Sequence, residues 1–380
     1  MKVGILGGGQ LGRLIVLAGL PLGVSFRVLA REAEALAGLA VEHIAADYDD
    51  VEAIEHFAAG LDVATYEFEN VSVGAVSALA KQVPVYPPPR ALHTAQDRLH
   101  EKTFFQGLGI ATPEFAAVES RADLHVAVDR LGLPAVLKAR RLGYDGKGQV
   151  VITDPAEVEA AWQRLGGVPA ILEQFISFDR ELSLVAVRGR RGETAYYPLV
   201  ENHHRSGILR VSLAPAPSAE PQLQRQAEAW AEGILQTLDY VGVLAIEWFE
   251  IGGRLLANEM APRVHNSGHW TIEGAATSQF ENHLRAILGW PLGGTSVLGC
   301  SALVNLIGTC PATADLLAVP GSHVHLYGKS PRPGRKLGHV TIRGEEWASI
   351  HEPLRQLLAR VGEEQLSAGV LAPRPARAGG

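Results

Sequence analysis

Cysteine and long apolar runs are both scarce in this chain of 380 residues. The two cysteines, Cys300 and Cys310, match no zinc-binding or redox spacing, and one pair cannot build a disulfide framework. The longest apolar stretch, near residues 14–24, is interrupted by Pro21 and is too short to span a bilayer. The first residues form a strand and a turn rather than the apolar core of a secretory signal. We therefore expect a cytoplasmic protein.

An excess of positive charge is also absent. Lysine and arginine together number 34, against 41 aspartates and glutamates, so the formal net charge is −7. This balance favours neither a nucleic-acid surface nor an anionic membrane as a partner. The hydrophobic share of 47% is that of an ordinary globular protein, and the length accommodates two or three domains.

The first region of the chain alternates strands with helices. Strands are predicted at residues 2–6, 25–30 and 62–66, and a helix at residues 10–20. This alternation is typical of a parallel sheet. Residues 1–95 are therefore expected to form a Rossmann-like α/β domain.

The rest of the chain has a different pattern. Residues 96–292 are expected to form a larger α+β region, and residues 293–372 a small β-rich domain. A helix is predicted near residues 351–361, with Pro353 tolerated in its first turn. The tail, residues 373–380, is predicted to be disordered.

Two glutamates in neighbouring segments give the strongest chemical signal. Glu247 lies in VLAIEWFEI and Glu259 in LLANEMAPR, and a Gly252-Gly253 turn separates these two predicted strands. A three-residue loop centred on Gly253 makes the glutamates cross-strand neighbours, whose Cβ atoms lie about 5 Å apart. Two carboxylates without Cys or His beside them suit Mg²⁺ bound together with substrate phosphates. The alternative is a pair of exposed glutamates on a polar hairpin.

A glycine-rich segment, GGGQLG at residues 7–12, contains the pattern GxGxxG between a strand and a helix. Backbone amides and a helix N-terminus can hold a phosphate there. A dinucleotide site also requires an acid after the second strand, and Glu32 stands near that position. Three interpretations stay open: a dinucleotide site, a site for another phosphate or ligand, and a purely structural turn.

A second glycine-rich segment, LKARRLGYDGKGQ at residues 137–149, follows a strand that carries Lys138. Its glycines let the backbone approach phosphate oxygens, and its lysines add positive charge. The segment is not a P-loop, because GxxxxGK[ST] is absent. The alternative is a mobile hairpin with an Asp-Gly turn.

Two further segments concentrate polar and basic side chains. APRVHNSGHW, residues 261–270, follows directly on Glu259, and such polar density after a buried strand argues for a site. KSPRPGRKLGH, residues 329–339, predicts an anion site suited to a phosphate monoester, with a solvated basic loop as the alternative. EQFI, residues 173–176, with Glu181 could serve a purine amine and a ribose, but it is uninformative alone.

Together these segments resemble the ATP-grasp superfamily and, more closely, the carboxyaminoimidazole ribonucleotide synthase family of purine biosynthesis. The resemblance covers the chain except its final tail, and its motifs are GGGQLGRL, YEFENV, GYDGKGQ, YYPLVENHHRSGILR, NEMAPRVHNSGHW and RPGRKLGH. It implies an ATP-grasp fold with an N-terminal Rossmann-like (pre-ATP-grasp) domain, a mobile lid at about residues 112–176 and a small β-rich C-terminal domain. It also implies a homodimer.

The resemblance further implies a ligase reaction. The family carboxylates 5-aminoimidazole ribonucleotide with ATP, Mg²⁺ and bicarbonate, through carboxyphosphate, and releases ADP and phosphate. Three groups of site residues follow from it position by position. Nucleotide contacts would come from Arg98, Lys138, Gly143, Tyr144, Asp145, Gly146, Lys147, Gly148, Gln149, Glu173, Gln174, Phe175, Ile176, Glu181, His204, Asn258 and Glu259. The magnesium ligands would be Glu247 and Glu259. Bicarbonate and the ribonucleotide would meet Tyr144, Asp145, Lys147, His265, Asn266, Lys329, Gln10, Leu11, Glu67, Arg332, Arg335 and Lys336.

Two departures from the family pattern are mild. Lys147 stands where the family often has arginine, so its contact with carboxyphosphate would be less bidentate. Ile176 stands where valine is common. Either His265 or Asp145 could manage protons, and the sequence does not rank them.

Three other functions compete with this one. The nearest is another ATP-grasp ligase, such as a formate-dependent glycinamide ribonucleotide transformylase or a biotin carboxylase. The second is an NAD-dependent dehydrogenase built on the first glycine-rich segment. The third is a non-catalytic nucleotide-binding regulator.

Overall fold

The first region contains a four-stranded parallel sheet. The computed structural model describes residues 1–32, 35–143 and 146–371. Within the first region the strands are β1 (Lys2–Leu6), β2 (Ser25–Ala30), β3 (Glu42–Ala45) and β4 (Val63–Tyr66), and the helices are α1 (Gln10–Gly19), α2 (Val51–Ala58) and α3 (Val73–Leu79). The strand order is β3-β2-β1-β4, and every pairing is parallel. The predicted Rossmann-like α/β domain is confirmed.

A smaller antiparallel sheet follows two connecting helices. The elements are α4 (Pro89–Ala95), α5 (Arg98–Gly107), β5 (Phe115–Val118), α6 (Arg121–Leu131), β6 (Ala135–Ala139), β7 (Gln149–Ile152), α7 (Val158–Arg164) and β8 (Ala170–Gln174). The strand order is β5-β8-β6-β7. This sheet has an apolar core of its own, formed with α6 and α7 around Leu124, Leu137 and Leu172. The second glycine-rich segment connects β6 to β7.

A nine-stranded antiparallel sheet occupies the centre of the molecule. Its elements and the helices between them are β9 (Arg180–Arg188), β10 (Thr194–Tyr196), β11 (Val200–Arg205), β12 (Ile208–Ala214), α8 (Pro221–Thr237), β13 (Gly242–Ile251), β14 (Arg254–Ala261), α9 (Thr271–Gly274), α10 (Gln279–Leu288), β15 (Cys300–Ile307), α11 (Thr313–Leu317), β16 (Ser322–Leu326), β17 (Lys336–Gly344), α12 (Trp347–Arg360) and α13 (Ser367–Val370). The order is β14-β13-β9-β11-β12-β15-β17-β16, and β10 pairs with β9. The β-rich end of the chain therefore shares a sheet with the region before it, through β12 and β15.

Helix α8 covers one face of this sheet. Its buried side chains recur at helical spacing, at Leu223, Ala227, Ile234 and neighbouring positions, as the amphipathic pattern predicts. Apolar burial of this kind contributes about 25 cal/mol per Å² removed from water. The indole of Trp230 packs 5.4 Å from that of Trp248, which lies fully buried on β13. The strand that carries Glu247 is thereby held against a rigid layer.

The C-terminal helix begins earlier than the sequence indicates. We predict a start near residue 351 with Pro353 in the first turn, whereas α12 begins at Trp347 and Pro353 lies inside it. The proline lacks the N–H that would reach the carbonyl of Ser349, but Ile350, Leu354, Leu357 and Leu358 are buried beneath the helix. Packing of this apolar face outweighs the lost hydrogen bond. In the part of the chain that the structure describes, every helix is too short or too polar to traverse a lipid bilayer.

Candidate active site

The Glu247–Glu259 pair lies on adjacent strands, but the route to that pairing differs from the prediction. Ile251 pairs with Arg254, so the turn has two residues, Gly252 and Gly253, with φ of +55° and +78°. Positive φ at both positions is the requirement of the commonest hairpin turn. A register shift next to Trp248 then leaves Asn258 unpaired and restores the pairing of Glu247 with Glu259. The prediction of a three-residue loop is therefore wrong, whereas the predicted pairing of Glu247 with Glu259 is confirmed.

The two carboxylates have unequal electrostatic surroundings. Burial, together with the charge of Glu259, raises the pKa of Glu247 to about 7. Burial also opposes the ionisation of Glu259, but Arg98 places Nη1 2.9 Å from its Oε2 and lowers its pKa below the ordinary value. One charge of the pair is thus compensated by arginine. The charges of His204 and Lys336 act on Glu247 as well, but they do not offset its burial and the charge of Glu259.

A cavity of about 430 Å³ opens beside this pair, between the small antiparallel sheet and the central sheet. Most of the predicted nucleotide residues line it: Arg98, Lys138, Gly146, Gln149, Glu173, Gln174, Phe175, Ile176, Glu181, His204, Asn258 and Glu259. Gly143 and Lys147 lie instead along a neighbouring cavity. Gly148 is on the lining of neither cavity, and Tyr144 and Asp145 lie outside the described residues.

Buried ion pairs organise the cavity floor. The Lys138 ammonium lies 2.8 Å from Glu173 Oε2, and the Lys102 ammonium lies 3.5 Å from the same oxygen. Burial opposes the charge on Glu173, but Lys102 and Lys138 overcome it and lower the pKa of Glu173 to about 2. Sequence reasoning missed Lys102. Its position four residues after Arg98 on α5 places both cations on one face of the helix, and that spacing could have identified it.

Two pairs of side chains also line this cavity, and only one of the pairs was predicted. The rings of Phe178 and Phe249 stack with centroids 4.8 Å apart, and both line the cavity. Neither residue was predicted. Glu181 and His204 were predicted, and His204 Nδ1 lies 2.9 Å from Glu181 Oε2. Burial alone would lower the pKa of His204, but the adjacent Glu181 carboxylate raises it.

A second cavity, of about 900 Å³, adjoins the first. The predicted ribonucleotide residues from both ends of the chain line it together: Gln10, Leu11, Glu67, Lys329, Arg332, Arg335 and Lys336. The Lys329 ammonium donates to Gln10 Oε1 at 2.5 Å, which joins the first and last regions directly. Sequence reasoning missed the ion pair of Arg263 with Glu69 on the same wall.

Five residues line both cavities and form the wall between them: Arg98, Glu259, His265, Asn266 and Lys336. His265 begins the turn after β14, and its Nε2 lies 3.8 Å from Glu247 Oε1. Asn266 exchanges two hydrogen bonds with the buried Asn305, of 3.0 and 2.7 Å. A ligand in either cavity therefore meets the same polar partition.

The first glycine-rich loop does not hold a phosphate in this arrangement. The backbone N–H groups of Gly9 and Gly12 both donate to the carboxylate of Glu67, and the Gly12 bond is 2.6 Å long. A Cβ atom on Gly9 would lie 2.6 Å from that carboxylate, so the loop closes tightly around it. Because these two amides already donate to Glu67, the arrangement favours the structural turn over a dinucleotide site among the three open interpretations.

This architecture, with a glycine loop and paired carboxylates beside a cleft between two antiparallel sheets, places the chain among the ATP-grasp enzymes. The ATP-grasp domain model matches residues 103–280, and the ribonucleotide synthetase preATP-grasp domain model matches residues 1–96. The phosphoribosylaminoimidazole carboxylase C-terminal domain model matches residues 301–353. Within this class, the chain belongs to the N5-carboxyaminoimidazole ribonucleotide synthase family.

Individual relatives support that membership over nearly the whole chain. The N5-carboxyaminoimidazole ribonucleotide synthase of Pseudomonas aeruginosa is 53% identical over 361 residues, covering 95% of this chain and 99% of the relative. The synthetase structure from Thermus thermophilus is 56% identical with a TM-score of 0.92, covering 95% and 99%. A synthase from Aspergillus clavatus, solved with ADP and 5-aminoimidazole ribonucleotide, is 30% identical with a TM-score of 0.89, covering 95% and 98%.

Proposed function

We propose that this chain carboxylates 5-aminoimidazole ribonucleotide with bicarbonate and ATP, giving ADP and phosphate. The observation that carries the proposal is the pair of adjoining cavities with a shared polar wall. One cavity offers carboxylates, lysines and apolar side chains suited to a nucleoside triphosphate. The other offers a cluster of basic side chains from residues 329–336 that is suited to a phosphate monoester. An intermediate formed in one cavity then has a short path to an amine in the other.

Magnesium would be held by Glu247 and Glu259. The Asn258 Oδ1 atom between them in sequence is buried and lacks a hydrogen-bond partner among the described residues, so the site has a spare oxygen ligand. The described residues contain no group of three or more His, Cys, Asp or Glu side chains with metal-binding geometry. A cation here would complete its shell with phosphate oxygens, as Mg²⁺ commonly does. When bound, it would neutralise charge on the transferring phosphoryl group.

The chain's own cations would share that task. Lys138 and Arg98 are proposed to contact the phosphates, and Glu173 with the EQFI segment would hold adenine. Glu181 and His204 would contact the nucleoside end of the ligand. The loop with Gly143, Gly146, Lys147 and Gly148 would cover the phosphates and exclude water from the intermediate.

The second cavity would bind the ribonucleotide. Lys329, Arg332, Arg335 and Lys336 are proposed to hold its phosphate, and Gln10, Leu11 and Glu67 to lie near the ring. Lys147, His265 and Asn266 would contact the bicarbonate-derived group.

The reaction has two steps. A bicarbonate oxygen attacks the γ-phosphorus of ATP, the bond to ADP breaks, and carboxyphosphate forms. The ribonucleotide amine then forms a bond to the carboxyl carbon as the bond to phosphate breaks, and the nitrogen loses one proton, which balances as the proton of the departing hydrogen phosphate. Positioning of the reactants supplies a large part of such an acceleration.

The decisive experiment measures ADP release with bicarbonate, in the presence and absence of 5-aminoimidazole ribonucleotide. We expect ribonucleotide-dependent ADP release that matches carboxylated product mole for mole. Turnover with formate and glycinamide ribonucleotide, or with biotin, would instead support another ATP-grasp ligase.

We propose a homodimer that acts in the cytoplasm, as the family resemblance implies. Sedimentation equilibrium at micromolar concentration would test the assembly, and a monomer at all concentrations would contradict it.

A further inference from the structure

A row of buried polar side chains runs across the central sheet beneath His265. Ser183, Asn202 and Ser212 lie on the adjacent strands β9, β11 and β12, and Ser267 lies in the turn after His265. All four are at most 4% exposed. Buried polar groups need partners, so a row of this kind indicates a specific arrangement rather than chance.

The row is a continuous chain of hydrogen bonds with one direction. The Ser212 hydroxyl donates to Asn202 Oδ1 at 2.7 Å, and Asn202 Nδ2 donates to Ser183 Oγ at 2.9 Å. The Ser183 hydroxyl donates to Ser267 Oγ, also at 2.9 Å. Ser267 Oγ then lies 2.9 Å from His265 Nδ1. Because each hydroxyl has one proton, this order leaves the Ser267 proton directed at the imidazole.

A backbone group fixes the direction independently of the amide orientation of Asn202. The backbone N–H of Ser267 also points at His265 Nδ1, with an N···N distance of 3.3 Å. A backbone N–H can only donate, so Nδ1 must present its lone pair. In a neutral imidazole the proton then resides on Nε2. The His265 backbone is clamped as well, because Gln279 accepts from its N–H at 2.9 Å and donates to its carbonyl at 2.6 Å.

We propose that Ser212, Asn202, Ser183 and Ser267 form a positioning chain that holds His265 as the Nε2–H tautomer. His265 then faces the junction of the two cavities as a hydrogen-bond donor. Its role in the proposed carboxylation is to donate to an oxygen of the bicarbonate-derived group, and it does not take the proton of the ribonucleotide amine. This inference rests on the proposed function only for that role, since the tautomer is a property of the free protein.

The tautomer is read directly by two-bond ¹H–¹⁵N spectra of protein labelled at histidine. The His265 signals are assigned by their loss in His265→Gln. We expect a non-protonated Nδ1 and a protonated Nε2 in the substrate-free protein. A protonated Nδ1 would overturn the proposal whatever the enzyme's activity, so this result separates it from a failure of the proposed function.

Three serine-to-alanine variants test the chain itself. Ser267→Ala removes the hydroxyl next to the imidazole, and Ser183→Ala removes the next link. Ser301→Ala is the matched control, because Ser301 is 1% exposed on β15 and its hydroxyl has no partner among the described residues. We expect Ser267→Ala to move the ¹⁵N signal of His265 Nδ1, because Nδ1 loses the hydroxyl donor while the backbone N–H remains. We expect kcat to fall by roughly 10- to 100-fold, the range for outer-shell partners of metal-bound histidines.

The split between kinetic constants distinguishes positioning from general damage. The KM for ATP should stay unchanged in Ser267→Ala and Ser183→Ala, with a smaller loss of kcat in the second. Equal losses in all three variants, or an unaltered His265 spectrum in Ser267→Ala, would contradict the proposal. If Ser267→Ala does not fold, Ser183→Ala and the spectrum of the unmodified protein still decide it.

Discussion

The two glycine-rich loops of this chain resemble each other in sequence and differ in what their backbones meet. Both follow a strand. The amides of Gly9 and Gly12 donate to Glu67, delivered from the end of β4. Gly143 and Gly146 line the two cavities, and Gly146 packs against the β11–β12 turn. Glycine permits close approach, but the group that approaches is set by residues elsewhere in the chain.

The largest effect is expected at the acidic pair beneath the second loop. Glu259→Ala removes one proposed metal ligand and leaves the Arg98 guanidinium without its partner. We expect kcat to fall on the order of 100- to 1,000-fold, the range for loss of one preorganised charge contact. Magnesium-dependent ADP release measures it, with a single cooperative unfolding transition as the check on folding. Retained function would favour the non-catalytic regulator.

The next effect tests whether the second loop must pack closely. Gly146 has a φ of +73°, and an added Cβ would lie 2.9 Å from Gly207 Cα. We expect Gly146→Ala to lower kcat about 10- to 100-fold, because a small misplacement at a closing loop is costly. Gly60→Ala is the matched control, with a φ of +72° and open space around it. Similar kinetics for the two variants would remove the distinction between the loops.

A substitution that disturbs the first glycine-rich loop should lower the stability of the protein more than its catalytic rate. In Glu67→Gln, the amide cannot accept from both Gly9 and Gly12 through two oxygens, so one buried N–H loses its partner. The expected loss is about 1–3 kcal/mol in the free energy of unfolding, measured with urea. The KM for the ribonucleotide should rise while that for ATP does not. Exposed Glu52 on α2 supplies the control, as Glu52→Gln.

A pH effect follows from the strand that delivers Glu67. Thr65 on β4 lies 2.9 Å from His283 Nε2, and the Val243 N–H donates to His283 Nδ1. Burial lowers the pKa of His283 to about 4 from an ordinary 6.5. The neutral form is therefore favoured in the folded protein, and its stabilisation is complete above pH 6.5 and lost as the pH falls toward 4.

That loss amounts to a few kcal/mol, since one pKa unit corresponds to about 1.4 kcal/mol. We expect denaturant unfolding between pH 7 and pH 4 to show a steeper decline for the native sequence than for His283→Gln. Exposed His351 provides the comparison, and His351→Gln should leave the decline unaltered. Parallel curves for all three proteins would refute the assignment.

The smallest expected effect is none. Glu32→Ala removes the acid that a dinucleotide site would require after β2. The amides of the glycine-rich loop that would hold the dinucleotide phosphate already donate to Glu67. We expect unchanged kinetic constants and no binding of a nicotinamide dinucleotide to either protein by calorimetry. Micromolar binding of a nicotinamide dinucleotide that depends on Glu32 would instead support the hypothesis of an NAD-dependent dehydrogenase.

Local pattern was sufficient for much of the fold. The strands β1 and β2 have the predicted bounds, since three glycines follow β1 and Gly23 stands before β2. Helix α8 has the predicted buried face. Pro353 shows the limit of such reasoning, because tertiary packing carries α12 through a residue that usually ends a helix. Sharing of one sheet by β12 and β15 is a long-range pairing that no local signal encodes.

The features of the site also fall into those that local sequence spacing predicts and those that depend on contacts between distant segments. The pairing of Glu247 with Glu259 could be predicted from spacing, although a shorter turn and a bulge at Asn258 together replaced the expected loop. Lys102 could have been found from helical spacing. The stacking of Phe178 on Phe249 and the capture of two loop amides by Glu67 depend on approach of distant segments. Apolar and acidic residues of this kind look ordinary in sequence.

The shared sheet constrains how the chain can be divided. Residues 211–214 of β12 pair with residues 301–304 of β15, and Val211 and Leu213 pack with apolar residues of the last third of the chain. A fragment ending before Cys300 would expose an open strand edge and an uncovered apolar face, which are the features that drive intermolecular strand pairing. We therefore expect such a truncated chain to aggregate rather than to fold into a smaller protein that binds the nucleotide.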